Sequence, residues 1–326
     1  MARPVSPRKG PFTQGVFLVE RAARGLPFLL PAFLLSGALG CDGKGPLPPL
    51  PEDRRWLDLA YTSGSAAQRL DLYLPSEGDG PFPLLVWIHG GGWRGGDKSL
   101  GANAIQFRAL QEGYALASLN YRLSHEATFP AQINDVKTAI RWLRGNRREY
   151  RLATGEVGVW GSSAGGHLVA LLGTSSGVES LEGNSLGSSG TSSRVQAVVD
   201  WYGPTDLLRM GEDLGAQGCS TAGAEGPNSA LTLLLGATVS ERPDLAEAAS
   251  PTSYVSSDDP PFLIQHGTRD CTVPFPQSQH LQEELASVIG SDRVELDLFE
   301  AGHGGAPFRT EENLLRIFAF FHQHIG

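Results

Sequence analysis

The run Val157-Gly158-Val159-Trp160-Gly161-Ser162-Ser163-Ala164-Gly165-Gly166-His167 constrains this chain more than any other stretch. An apolar strand pattern enters a Gly-x-Ser-x-Gly turn, and a helix-forming run, Leu168 to Leu172, leaves it. Such a corner forces its central residue, Ser163, into a strained backbone conformation. Small residues at Gly161 and Gly165 let strand and helix approach closely enough to form it. The Ser163 hydroxyl is pushed into the open, beside a helix N-terminus that favours developing negative charge. Ser162 lies one place off the pattern and should point elsewhere. The bare pattern is common by chance; the strand-turn-helix setting gives it weight.

That corner needs a sheet around it. Trp56 to Tyr61 and Arg69 to Leu74 alternate with period two and predict an antiparallel pair at one sheet edge. Leu84 to Ile88 is a continuous apolar run, the pattern of a central strand covered on both faces. It runs into His89-Gly90-Gly91-Gly92-Trp93, where successive glycines leave backbone N–H groups open to an oxyanion. A simple flexible turn is the alternative there, and His89 reads as a brace for the loop. Ser99 to Glu112 predicts a helix and Tyr114 to Leu119 a strand. Phe129-Pro130 opens a helix with Ile133, Val136, Ile140 and Leu143 at helical spacing. Arg122 and Asp135 read as a structural ion pair, and Thr174 to Ser193 as a mobile surface loop.

The remainder alternates: strand Val195 to Trp201, irregular insert Gly203 to Ser256, strand Phe262 to His266, helix Pro276 to Val288, strand Val294 to Phe299, helix Glu311 to His324. Alternation of this kind implies a doubly wound, mostly parallel α/β sheet with right-handed crossovers. The insert falls where a lid would overhang the Ser163 corner.

Composition narrows the function. A net charge of −9, with no basic run outside the first residues, argues against a nucleic-acid partner. Three cysteines exclude a disulfide scaffold and a structural zinc cluster, and no His-x-x-x-His or Cys-x-x-Cys spacing offers another metal site. Residues 1–41 read as an export signal: a basic start, an apolar run from Leu26 to Gly40, then Cys41. The arrangement resembles a bacterial lipoprotein signal in which Cys41 is lipidated; a plain secretory signal is the alternative. Residues 42–55 form a Pro/Gly-rich tether and 56–326 the folded domain, with 203–256 as its insert. Membrane contact is expected only through the anchor.

A serine hydroxyl needs a base to take its proton, and the base needs an orienting carboxylate. Both should sit in loops at the carboxyl ends of later strands. His303 follows Val294–Phe299 in a glycine-flanked loop, and Asp270 follows Phe262–His266. Asp206, after Val195–Trp201, is the alternative acid. His266 reads as a core or loop-bracing histidine, and His322 and His324 as solvated. His125, His167 and His280 have no carboxylate at suitable loop spacing. In an exported protein Cys219 and Cys271 would bridge, tying the insert to the acid loop; two free thiols are the alternative.

The segments RLDLYLP, WIHGGGWRGGDK, LNYRLSHEATFPAQINDVKTAIRWLR, VWGSSAGGHL, VVDWYGPTDL, ASP, PPFLIQHGTRDCTVP and AGHG together resemble the BD-FAE-like (feruloyl-esterase-like) bacterial esterases. These are close to the hormone-sensitive-lipase and carboxylesterase group. The resemblance runs from about Arg69 to His303. It implies an α/β-hydrolase fold, a Ser163–Asp270–His303 triad in the chain order of that fold, and no cofactor. It further implies that Gly91, Gly92 and Ala164 supply N–H donors to the oxyanion. The expected activity is hydrolysis of acetyl, feruloyl or small acyl esters, with a carbohydrate ester first. Rival readings are an arylformamidase- or amidase-like hydrolase with the same triad, an exopeptidase of the prolyl-oligopeptidase kind lacking its propeller, and a non-catalytic binding module, which would have a broken triad.

Overall fold

The computed structural model describes residues 51–187 and 190–325. The proposed leader with Cys41 lies outside the described residues. Residues 52–55, expected in the tether, belong to the fold: Glu52–Arg54 form a 3-10 turn, and the Arg54 guanidinium donates to Pro75 O at 2.6 Å.

One sheet organises the chain. Its strands are β1 (Arg55–Ala60), β2 (Arg69–Tyr73), β3 (Phe82–Ile88), β4 (Ala115–Leu119), β5 (Leu152–Ser162), β6 (Ala197–Trp201), β7 (Phe262–Gly267) and β8 (Val294–Phe299). They lie in the order β1-β2-β4-β3-β5-β6-β7-β8. As the alternation predicts, β1 and β2 are antiparallel at one edge, β2 also meets β4 antiparallel, and the others are parallel. This is the α/β-hydrolase arrangement.

The helices are α1 (Arg108–Gln111), α2 (Ala131–Gly145), α3 (Ala164–Thr174), α4 (Met210–Ala216), α5 (Ala222–Glu225), α6 (Ala230–Leu235), α7 (Pro243–Ala248), α8 (Pro276–Ile289) and α9 (Glu311–Ile325). The pleat sends alternate side chains of β3 to opposite faces. Leu84, Val86 and Ile88 join a core with α2 and α3, while Leu85 and Trp87 join one with α9. Two covered faces explain the unbroken apolar run of β3. On the α9 side Trp87, Trp160 and Trp201 meet edge to face across β3, β5 and β6, with centroids 5.1 and 4.8 Å apart.

Three expectations change. The helix expected over Ser99 to Glu112 shrinks to α1 and a 3-10 turn, Ile105–Phe107. Its first part is held as loop instead: Asp97 accepts from Ser99 N and Asn120 Nδ2, both at 2.8 Å, and buried Lys98 pairs with Asp71 and Asp58. The segment after α3 is no loose loop where described, because Glu182 takes Lys137 at 2.9 Å and Arg141 at 3.0 Å from α2. Burial lowers the Lys137 pKa against the pull of Glu182, so this pair is a desolvated anchor. The insert is not irregular either; it carries α4 to α7.

Candidate active site

Parallel register aligns the strand ends that matter. Ile88 pairs with Gly161, Ser162 with Trp201, and Gly267 with Phe299. The loops leaving β3, β5, β6, β7 and β8 therefore emerge together along one edge of the sheet.

Ser163 sits between β5 and α3 with φ 56° and ψ −121°, a conformation that L residues rarely adopt. Its N–H is tied to Trp201 O at 2.8 Å, which fixes the corner to β6. A side chain at Gly161 would strike the carbonyl of Gly165, and one at Gly165 would strike the carbonyl of Ile88. The corner thus depends on both glycines.

The structure brings Ser163, His303 and Asp270 into one hydrogen-bonded chain. His303 Nδ1 lies 2.6 Å from Asp270 Oδ2 and donates to it, so Nε2 accepts from the Ser163 hydroxyl at 2.8 Å. Asp270 is fully buried. Its Oδ1 accepts from Thr272 N at 2.8 Å and Val273 N at 3.0 Å. Burial by itself would raise its pKa, but the hydrogen bonds from His266 and His303 outweigh it and hold the carboxyl at about 2. Asp206 is engaged elsewhere: it accepts from Arg209 N, and its own N–H reaches Gln277 Oε1 at 2.9 Å.

The other histidines divide by environment. His266 is buried, with Nδ1 2.6 Å from Ser278 Oγ and Nε2 2.8 Å from Val273 O. It braces the acid loop, as expected, and also reaches Asp270 Oδ2 at 3.4 Å. His89 stacks on Tyr121 at 4.7 Å and faces Gly90 O, and burial lowers its pKa. His167 accepts from Trp93 Nε1 and donates to Ala249 O; burial brings it to about 4 and keeps it neutral. His280 has a carboxylate after all, because α4 supplies Asp213 at 3.2 Å. Exposed His322 bonds to Tyr114 at 3.0 Å, so it is not simply solvated.

The glycine triplet takes positive φ at Gly91 (110°) and Gly92 (60°), and the Gly91 carbonyl accepts from Arg94 N and Gly95 N. Ala164 opens α3, so its N–H has no acceptor within the helix. Gly92, Ala164 and Ser163 face a cavity of about 530 Å³. Its far wall comes from the insert, through Met210, Leu214, Ala222, Gly223 and residues 226–231, and Arg94 spans the two walls by donating to Asn228 O. Cys219 and Cys271 are bonded, with Cα atoms 5.4 Å apart, which ties the insert to the acid loop beside Asp270. Gln217 doubles that tie by donating to Asp270 O at 2.7 Å. The reading of residue types missed Tyr202, whose ring lies 4.8 Å from that of His303. Its sequence signal was only an aromatic residue at a strand end.

The BD-FAE family model matches residues 70–285. Esterase LipC of Mycobacterium tuberculosis is 33% identical over 242 residues, covering 73% of this chain and 57% of that protein. The chain spans about half the length of the curated relatives it matches. A truncated carbohydrate esterase from gut microbiota superposes with a TM-score of 0.75 at 32% identity, over 84% of this chain and 98% of that one. A bifunctional GH43-CE protein of Bacteroides eggerthii gives 0.73 at 34% identity, over 84% of this chain and 35% of that one.

Proposed function

The chain belongs to the BD-FAE family, and from that premise we propose that it is an exported serine carboxylic-ester hydrolase. Its substrates are acetyl, feruloyl or other small acyl esters, carbohydrate esters first among them. The observation that carries this reading is the unbroken chain from Asp270 through His303 to Ser163, at the mouth of a cavity of about 530 Å³. A non-catalytic module would have no need to keep it.

The chemistry follows from the atoms in place. Ser163 Oγ attacks the ester carbonyl carbon while its proton passes to His303 Nε2. The carbonyl oxygen becomes an oxyanion, received by the N–H groups of Gly91, Gly92 and Ala164. Asp270 stays ionised and holds the imidazolium in place. His303 then gives its proton to the departing alkoxide, which leaves as the alcohol and strands the acyl group on Ser163. Water, deprotonated by the same Nε2, attacks that acyl-enzyme; the acid departs and Ser163 regains its proton. These steps call on no cofactor.

The carbohydrate preference is supported by the structural relatives, one described as a carbohydrate esterase and another as a GH43-CE bifunctional protein. Export is supported by the Cys219–Cys271 bond, which needs an oxidising compartment. Anchoring would act through Cys41. Mass analysis of the mature N-terminus tests it: a diacylglyceryl group on Cys41, lost in Cys41→Ser, is expected, and an unmodified Cys41 rules the anchor out. The activity itself is tested by turnover of p-nitrophenyl esters, acetylated xylan and methyl ferulate beside matched amides. Ester hydrolysis is expected. Amide turnover without ester turnover would hand the site to the amidase reading.

A further inference from the structure

Tyr202 follows β6 with φ 44°, a left-handed backbone that a bulky L residue adopts only under constraint. Trp93 after β3 (φ 55°) and Ser163 after β5 (φ 56°) share this feature, so three of the five positive-φ non-glycine residues among the described residues follow strands along the edge that carries Ser163. The constraints on Tyr202 are visible. Its N–H donates to Gln265 O at 2.9 Å, and its ring packs on Phe308 with centroids 4.7 Å apart. Its hydroxyl lies near the Ser162 side chain, which favours the ionised phenol against the effect of burial. That hydroxyl also lies 3.1 Å from where a Cβ on Gly304 would stand, so the residue after His303 leaves room for it.

What this arrangement presents to His303 is an aromatic ring. The centroids are 4.8 Å apart with the planes at 66°. Both imidazole nitrogens are already engaged, Nδ1 with Asp270 and Nε2 with Ser163. An aromatic ring attracts a cation that stands over its face within about 6 Å of its centroid. We propose that Tyr202 is a positioning residue whose ring stabilises the His303 imidazolium formed as Ser163 gives up its proton. This rests on His303 being the base of the hydrolytic reaction. The proton moves from Ser163 Oγ to His303 Nε2, and the imidazole that takes the positive charge touches both the Asp270 carboxylate and the Tyr202 ring.

Other charges near the pair are accounted for. His266 reaches the same Asp270 oxygen as His303 and lies 6.5 Å from the Tyr202 ring, and Arg309 acts on the Tyr202 phenol with the sign opposite to Asp270 and Asp200. Burial raises the phenol pKa, so Tyr202 meets the imidazolium as a neutral ring.

The sign of the effect is testable. A ring that favours the imidazolium raises the pKa of the base, and its loss lowers that pKa. The test is the pH profile of kcat/KM for a p-nitrophenyl ester in Tyr202→Phe, Tyr202→Leu and a chain carrying 3,4,5-trifluorophenylalanine at 202. The fluorinated ring keeps the shape but weakens the negative face, so it serves even where the Leu variant folds poorly. Phe should leave the acid limb in place. Leu and the fluorinated ring should move it to lower pH by about half to one unit, with kcat reduced and KM little changed. An acid limb that stays put across the series, with Ser163→Ala inactive, overturns the role of Tyr202 alone. An active Ser163→Ala overturns the reading on which it rests.

Discussion

The two walls of the cavity are built on opposite principles. One wall stands on strand ends: Gly92 and Trp93 after β3, Ser163 after β5, Pro204 after β6 and Cys271 to Val273 after β7, with His303 and Asp270 hydrogen-bonded in line behind Ser163. Each leaves a sheet whose parallel register fixes it against the next. The other wall is the insert, whose helices α4 to α7 run four to seven residues. Helices so short do not hold together in water by themselves. They are held by packing Leu214, Leu231, Leu234 and Leu235 into the core under the sheet, and by ties to the rest: the Cys219–Cys271 bond, Gln217 on Asp270 O, and Asp213 on Gln277 and His280. The reacting groups thus sit on a frame stabilised by a continuous core, and the surface that meets the substrate borrows its order. Loss of the Ser163 hydroxyl should remove chemistry at full stability. Changes to the second wall should cost stability first.

The largest expected effect lies on the strand-end wall. Ser163→Ala should lower ester turnover by on the order of 10⁴-fold or more without lowering the melting temperature. Ser162→Ala, one place away, should keep turnover within about tenfold, since its hydroxyl takes no part in the Asp270–His303–Ser163 chain. Steady-state rates on a p-nitrophenyl ester decide it, and near-normal turnover by Ser163→Ala would falsify the assignment of the nucleophile.

Asp270→Asn comes next, with a loss of about 10⁴-fold, because an amide cannot hold His303 in the tautomer whose Nε2 accepts from Ser163. Asp206→Asn should stay close to wild type. A reversed pair of results would move the acid to the β6 end. Asp270 also predicts an acid response. Its folded pKa, about 2, lies below the ordinary 3.8, so its contribution is present above about pH 4 and is lost as pH falls through 4 toward 2. Unfolding followed by circular dichroism over that window should show a steeper loss of stability in wild type than in Asp270→Asn.

The contrast between the walls also explains what the sequence made legible. The serine corner demands glycines at fixed offsets, the edge pair shows period two, and β3 shows a doubly covered strand; each is a local pattern with a local cause. The insert carries no periodic signal in the sequence because α4 to α7 depend on contacts far along the chain. His280 and Asp213 are 67 positions apart, and no spacing rule joins them. The helix over Ser99 to Glu112 that the sequence suggests shortens to α1 because Asp97, Lys98 and Ser99 spend their polar groups on Asn120, Asp71 and each other. Tyr202 escaped notice because residue type carries no mark of a positive φ in a non-glycine residue.

On the second wall the disulfide should matter most. Its cysteines are 52 positions apart, and chain-entropy reasoning gives such a bridge at most about 4 kcal/mol. Replacing both cysteines with serine should lower the melting temperature and weaken activity along with it, because the insert loses its hold beside Asp270. A double variant with unchanged melting temperature would show that packing alone orders the insert and would erase the contrast drawn above.

The smallest effect gives the sharpest comparison. Asp213 lies on α4, almost buried, and accepts from Gln277 Nε2 at 2.7 Å while standing 3.2 Å from His280 Nε2, both on α8. Gln277 Oε1 in turn receives Thr205 N and Asp206 N, so one carboxylate organises the entry to the insert. Asp213→Asn keeps the shape but removes the charge, and hydrogen bonds to a charged group contribute more than neutral ones. The expected loss is about 1–2 kcal/mol, or a fall of about 2–8 °C in melting temperature for a domain of this size. Asp213 touches none of the reacting atoms, so kcat on a small acyl ester should stay within about threefold, while KM for a bulky acyl ester should rise as the far wall loosens. A fall in kcat for the small ester matching that of Asp270→Asn would mean that the insert positions the reacting groups themselves, and the two walls would have to be counted as one.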